Sequence, residues 1–319
     1  MRVLVTGWAG YIGPVVIRHL RAAGHYVVGI DTGWFLRDYA ELPEYPDEAI
    51  FGDIRRVLAP RPQADAVVHL AGLSNDPLGD LDPALTAEIN FAGTCGLIQQ
   101  DWSRRHVVVS SCSVYGTAEM ATEETDPNPL TRYAAAKAAV DYSLSGLSSD
   151  AVSLRLGTVY GWSPGHRLDL VVNQMVYDAG RGRGISVNGD AARPLVHVED
   201  VARAIVFMLD REERGVYNVV GENWRMGALG ESIAAATKAM IHHGPPSADQ
   251  RDYSASGDKL RALGWEPRHT VASTVPDLLV KSYGLGVPWR YKRLHSIQRL
   301  INDGVLTPDL YRNKESVAA

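Results

Sequence analysis

The chain has 319 residues, 45% hydrophobic and 22% charged, with a formal net charge of −5. That length can bury a sizeable core, and the charge argues against a nucleic-acid surface while leaving room for a local basic pocket that holds phosphates. Two cysteines, Cys95 and Cys112, stand in no metal-ligand or redox spacing, and no apolar run reaches membrane-spanning length, so a cytoplasmic protein without a metal or a membrane partner is expected.

The first strand is expected at once, at Arg2–Thr6, which leaves no room for a signal peptide. A helix follows over 14–23, a strand over 26–31, and a loop rich in aromatics and prolines to about residue 46. Short strands are expected over 49–52 and 66–70, a long helix over 86–102, and a buried strand, HVVVS, over 106–110. A helix over 133–147 and a strand over 152–156 complete the first half. Strands and helices in alternation, with nearly continuous apolar strands, predict a parallel sheet covered on both faces. The second half is less regular: a turn-rich loop over 161–167, helices over 168–180, 198–209 and 227–239, a strand over 216–220, a helix ending at 278–283, and a basic helical stretch over 291–303.

The first strand runs into TGWAGYIG at 6–13, with glycines at Gly7, Gly10 and Gly13 and Pro14 beyond them. A glycine-rich turn between strand and helix lets backbone approach a pyrophosphate, and the helix N-terminus offers free N–H groups to it. The spacing is G-x-x-G-x-x-G rather than the commoner G-x-G-x-x-G. Asp31 ends the second strand, where a carboxylate accepts from ribose hydroxyls and repels a 2′-phosphate, favouring NAD over NADP; Arg37 in the following loop keeps the phosphate option open. Asp53 and Ile54 suit an adenine edge or an ordinary surface turn, and Leu70, Ala71 and Gly72 supply small residues where backbone passes a cofactor.

YAAAK at 133–137 puts Tyr133 and Lys137 on one helix face. A phenol with an unperturbed pKa near ~10 needs such a cation to act as a base. HVVVS empties into SSCSVYG at 110–116, placing hydroxyls at the strand end where ligands bind. Each of these features alone also fits an alanine-rich helix or a serine-rich turn.

Taken in order, TGWAGYIG, Asp31, GDI at 52–54, HLAG at 69–72, Asn90 with Gly93 and Thr94, SSCSVYG, YAAAK, LRLGTVYG at 154–161 and RPLVHVEDVA at 193–202 resemble the extended short-chain dehydrogenase/reductases that act on nucleotide sugars, over roughly residues 1–285. The resemblance implies a doubly wound α/β Rossmann sheet with a smaller C-terminal substrate lobe, nominally 1–156 and 157–319, with 195–220 returning to the Rossmann core. It implies bound NAD contacting Gly7, Gly10, Tyr11, Ile12, Gly13, Asp31, Asp53, Ile54, Leu70, Ala71, Gly72, Asn90, Tyr133 and Lys137, with Asn90 also supporting the active-site region. It implies a triad in which Ser111 orients the reacting sugar oxygen, Tyr133 takes its proton and Lys137 holds the nicotinamide ribose. Arg193 and, less securely, Arg251 would meet the nucleotide diphosphate; a solvated loop charge is an equal reading of Arg251. Ser74, Asn75, Thr158 and Asn173 are further substrate candidates; an Asn-Asp-Pro turn equally explains Asn75, and a polar helix position Asn173. His197 and Asp200 read as structural.

Two departures bear on activity. Thr158 stands where the family often has Asn. Cys112 and Ser113 occupy the places of the Asp-Glu pair that the 4,6-dehydratase branch carries and of the Glu that decarboxylases keep, so the acid–base pair for eliminating water is missing. Epimerisation of a nucleotide-diphosphate sugar through a transient 4-keto sugar is therefore the first expectation, a 4-ketoreductase the second, and a non-enzymatic dinucleotide-binding regulator the reading of a different class. A homodimer through the helices at 86–102 and 133–147 is also expected.

Overall fold

The computed structural model describes residues 1–36, 44–56, 62–74, 79–99, 103, 105–147, 150–245, 249–285, 297–298 and 300–306. Arg37 and Asn75 lie outside the described residues.

Seven strands form one sheet: β1 (Arg2–Thr6), β2 (Tyr26–Asp31), β3 (Glu48–Phe51), β4 (Ala66–His69), β5 (Arg105–Ser111), β6 (Asp150–Leu156) and β10 (Gly215–Val219). Their spatial order is β10-β6-β5-β4-β1-β2-β3, and every pairing is parallel. The period of two sorts each strand onto two cores. Val3 and Val5 face one side, with α1 (Gly13–Ala22) and its Val16, Ile17 and Leu20; Leu4 faces the other, with Val28, Val67 and Leu97. Burial on both faces is why these strands read as unbroken apolar runs. The order reverses between β1 and β4, and the crevice at the strands' C-terminal ends there is where open α/β sheets bind ligands.

The remaining helices are α2 (Pro83–Ala87), α3 (Thr94–Gln99), α4 (Arg132–Leu147), α5 (Val171–Gly180), α6 (Val198–Leu209), α7 (Met226–Thr237), α8 (Asp258–Arg261) and α9 (Val271–Tyr283). α6 packs against α1, and β10 extends the sheet beside β6. The smaller unit has its own apolar cluster, with Val172, Met175 and Val176 of α5 against Leu229, Ile233, Val271, Val275 and Leu278. Short strands edge it: β7 (Thr158–Tyr160), β9 (Ala192–His197) and β11 (Glu222–Arg225) in one sheet, β8 (Ile185–Val187) and β12 (Ile241–His243) in another.

The helix expected over 86–102 instead starts at Pro83. Asp82 caps it, accepting from the Leu85 N–H at 3.0 Å, and Pro83 occupies the first turn, where its missing N–H costs nothing. Residues Glu88–Gly93 then widen into a π-helical stretch before α3. The helix expected from 168 begins only at Val171, because Arg167 and Asp169 are committed to a loop. The stretch at 291–303 lies largely outside the described residues. No helix among the described residues is long and apolar enough to cross a membrane.

Burial gives the fold a pH signature. Desolvation lowers His69 to about 3 and His197 to about 4, the latter with His269 stacked against it. In the unfolded chain both imidazoles take protons near their ordinary value of about 6.5. The unfolded state then binds more protons, so this contribution is present above about pH 6.5 and is lost as pH falls toward 4. Urea midpoints measured from pH 7.5 to 4.5 should decline, and the slope should flatten in His69→Asn; an unchanged slope would mean that His69 is not the origin.

Candidate active site

A single cavity of about 610 Å³ runs from the glycine-rich turn across the sheet's C-terminal edge into the smaller unit. Gly7 adopts φ +72°, and a Cβ there would sit 2.6 Å from the Ala71 amide nitrogen; one on Gly13 would sit 2.1 Å from the Trp8 carbonyl oxygen. Only glycine lets the turn close against the β4 loop and deliver the N-terminus of α1 to the cavity. Asp31 accepts from the Ala9 amide at 3.0 Å and the Gly33 amide at 2.8 Å, so its carboxylate ties the turn to the end of β2. Asp53 lines the same end and holds Arg55 through several hydrogen bonds. Tyr11, Ile12, Ile54, Leu70, Ala71 and Gly72 also face this space, as do Trp34 and Phe35, which the sequence offered only as part of an aromatic loop.

The floor beneath Ala71 and Gly72 is a fully satisfied hydrogen-bond chain. Thr94 Oγ1 donates to the Asn90 carbonyl, so it accepts from His69 Nε2–H at 2.8 Å, and His69 Nδ1 accepts from Thr6 Oγ1 at 2.7 Å. The imidazole is thus a neutral structural link. Asn90 does not line the cavity: its side chain clamps the backbone of Leu73, accepting from the N–H and donating to the carbonyl, both at 2.8 Å. It sets the loop that faces the cavity. Its place in the π-helical stretch is the kind of widening that often accompanies functional sites.

Ser111, Tyr133 and Lys137 meet in the middle of the cavity wall. β5 brings Ser111 to its C-terminal end, and α4 carries the other two one turn apart. Lys137 Nζ donates to the Val109 carbonyl at 2.8 Å and lies 6.0 Å from the centre of the Tyr133 ring. Burial brings the ammonium down to about 8, against the pull of Asp141 one turn further along α4, which raises it. Ser111 Oγ accepts from the Ser113 amide and hydroxyl at 3.1 and 2.9 Å, which leaves its own proton to orient into the cavity. Cys112 points away, its buried thiol donating to the Arg155 carbonyl.

Ser74 and Thr158 line the cavity, but Asn173 does not. The Asn173 amide is fully buried, accepting from the Gly161 N–H and donating to the Arg167 carbonyl and the Tyr11 hydroxyl. In α5 this polar side chain holds the 161–167 loop. The end of that loop and the segment leading into α5 contribute two residues the sequence did not single out, Arg167 and Asp169. An Arg-x-Asp immediately ahead of a helix was their available signal.

At the far end Arg193 and Arg251 converge on one carboxylate. Arg193 reaches Asp249 at 3.0 Å, and Arg251 grips both its oxygens at 2.8 and 2.6 Å. Burial alone would raise Asp249, but Arg251 and Arg193 hold it at about 2. The aromatic face of Tyr253 lies under the Arg193 guanidinium at 5.4 Å. Two guanidinium groups against one carboxylate leave one net positive charge, in forks suited to phosphate oxygens. Among the described residues no cluster could hold a metal ion.

The comparisons with known proteins agree with this geometry. A reductase, GDP-6-deoxy-D-mannose reductase of Pseudomonas aeruginosa, is 29% identical over 87% of this chain and 96% of its own. A dTDP-glucose 4,6-dehydratase of Escherichia coli is 28% identical over 86% and 91%. The solved Thermus thermophilus UDP-glucose 4-epimerase, in complex with NAD, superposes with a TM-score of 0.75 at 28% identity over 87% of this chain and 99% of that one. Residues 3–220 match the profile of the NAD dependent epimerase/dehydratase family, and with the glycine turn, Asp31 and the Ser111–Tyr133–Lys137 cluster all on one cavity, the chain belongs to that family.

Proposed function

We propose that the protein is an NAD-dependent epimerase of a nucleotide-diphosphate sugar, working through a 4-keto sugar. The observation that supports this most is the composition of the wall around Ser111. The hydroxyl, phenol and buried ammonium of an oxidoreductive site are together, while the two positions after Ser111 hold a thiol turned into the protein and a hydroxyl spent on Ser111. Neither can protonate a leaving hydroxyl or strip a neighbouring carbon, as dehydration requires.

Gly7, Gly10, Tyr11, Ile12 and Gly13 hold the dinucleotide, with the backbone of α1 on its pyrophosphate and Asp31 on its adenosine ribose. Asp53, Ile54, Leu70, Ala71 and Gly72 complete the cofactor wall. Bound NAD supplies a reversible hydride acceptor. Tyr133, as phenolate, takes the proton of the sugar hydroxyl; Lys137 stabilises that phenolate and holds the nicotinamide ribose; Ser111 donates to the reacting oxygen as it becomes a carbonyl. Arg193 and Arg251 anchor the diphosphate. The 4-keto sugar would then turn about that anchor, so that its carbon regains the hydride on the opposite face while Tyr133 returns the proton to the oxygen.

The similarity to a GDP-6-deoxy-D-mannose reductase favours a 4-ketoreductase as the second reading. We propose a cytoplasmic homodimer, because α4 is alanine-rich and exposes Tyr142 at 90% on its outer face; a monomer in sedimentation at micromolar concentration would refute it. The function is tested by offering UDP-, dTDP-, GDP- and CDP-sugars with catalytic NAD and resolving products by NMR. A stereoisomer formed without net NADH is expected. Reduction of a supplied 4-keto sugar, with no turnover unless NAD(P)H is added, would make it a ketoreductase.

A further inference from the structure

Arg167 and Asp169 face the cavity yet have no part in the proton path described above. Their side chains are 5% and 19% exposed, and the guanidinium grips the carboxylate through both Nε, at 2.8 Å, and a terminal nitrogen. The other terminal nitrogen donates to Ser74 Oγ at 2.5 Å, while the one that bonds Asp169 also makes a longer contact of 3.4 Å to the Ser74 carbonyl. The backbone of Arg167 is held from behind, where Asn173 donates to its carbonyl at 3.0 Å. Arg167, Asp169 and Ser74 line the same cavity as Tyr133.

An unpaired buried arginine in such a place would demand an anion. This one already has its anion, and a count of its five N–H groups settles what is left. Two go to Asp169 and two to Ser74, so one remains. A single N–H cannot present the two-pronged fork a carboxylate binds best. A sugar carboxylate would also stand against the mostly buried Asp169, and like charges at a partly desolvated site repel. A hydroxyl meets no such conflict, because it is neutral and accepts from the remaining N–H.

We infer that Arg167, Asp169 and Ser74 form a sugar-reading element that selects a neutral sugar and rejects a glycuronate. This rests on the reading of the cavity as a nucleotide-sugar site. The test is calorimetric titration of the NAD-loaded full chain with two matched pairs, UDP-glucose against UDP-glucuronate and GDP-mannose against GDP-mannuronate. The neutral member of at least one pair should bind about tenfold or more tightly than its uronate. Asp169→Asn, which frees the Arg167 charge, should narrow that ratio by about tenfold or invert it. Ser74→Ala keeps the ion pair but releases a second Arg167 N–H, so it should narrow the ratio by less than Asp169→Asn does, and an unchanged ratio in both variants overturns the inference. Equal or tighter binding of the uronates by the unmodified protein overturns the inference while leaving the nucleotide-sugar site intact. Binding of none of the four overturns both.

Discussion

Tyr133→Phe should lower turnover by about 10²–10⁴-fold, the usual span for losing a positioned general acid or base, while NAD affinity and the unfolding midpoint stay near those of the parent. The phenol oxygen is the only atom removed, and Lys137 keeps its own anchor on the Val109 carbonyl, so the site should remain assembled. Loss of less than tenfold would mean that another group takes the proton. The pH profile provides an independent check. Lys137 sits at about 8, so its ammonium is present below that pH and is lost above it, and with it the support for the Tyr133 phenolate. The rate should therefore decline above about pH 8. Removing the Asp141 charge, which raises Lys137, should move that decline to lower pH, whereas damage that was merely structural would scale the whole profile down.

Arg155→Met should destabilise the fold by about 3–5 kcal/mol, because it strands a carboxylate that has no route to water. Asp141 and Arg155 form an ion pair at 2.8 Å with side chains 3% and 5% exposed. The carboxylate also accepts from Ser153 Oγ at 2.5 Å and Ser110 Oγ at 3.1 Å. Arg155 continues to the Tyr115 hydroxyl at 2.8 Å, and that hydroxyl donates to Asn218 at 2.9 Å. The network therefore ties α4, β5, β6 and β10 together directly behind the Ser111–Tyr133–Lys137 wall. In the double variant Asp141→Leu/Arg155→Met no charge is left alone, and the loss should be clearly smaller than the sum of the two single losses. Urea unfolding of the four proteins measures this; strict additivity would show that the two groups are not energetically linked.

What the sequence disclosed follows from where its constraints are local. The glycine spacing, the i, i+4 relation of Tyr133 and Lys137, and the unbroken apolar strands are short-range patterns, and the structure places all of them on one cavity edge. Arg167 was overlooked because the local Arg-x-Asp is a weak signal and its contact with Ser74 forms only after residues 93 positions apart meet. The hydrogen bonds of Asn173 were equally hidden, since a polar side chain in an apolar helix gives no sign that Gly161, Arg167 and Tyr11 will meet it. The shortest strands of the smaller unit were missed because at three or four residues even the alternation of β8 and β11 is too brief to stand out. In the long helix, the start at Pro83 turned on a cap and a proline rather than on periodicity.

The seventh strand has a consequence for how this chain is made. β10 arrives from residues 215–219 and closes the sheet beside β6, whose residues are buried along nearly their whole length. Until the ribosome has released that segment, β6 is an open edge with a row of unpaired amides and carbonyls, a template for any other strand it meets. A fragment cut at residue 156 would keep the whole glycine turn and Tyr133 yet retain that bare edge for good. The dinucleotide half is therefore a unit in space but not along the chain, and expressed alone it should self-associate rather than bind its cofactor as a clean monomer.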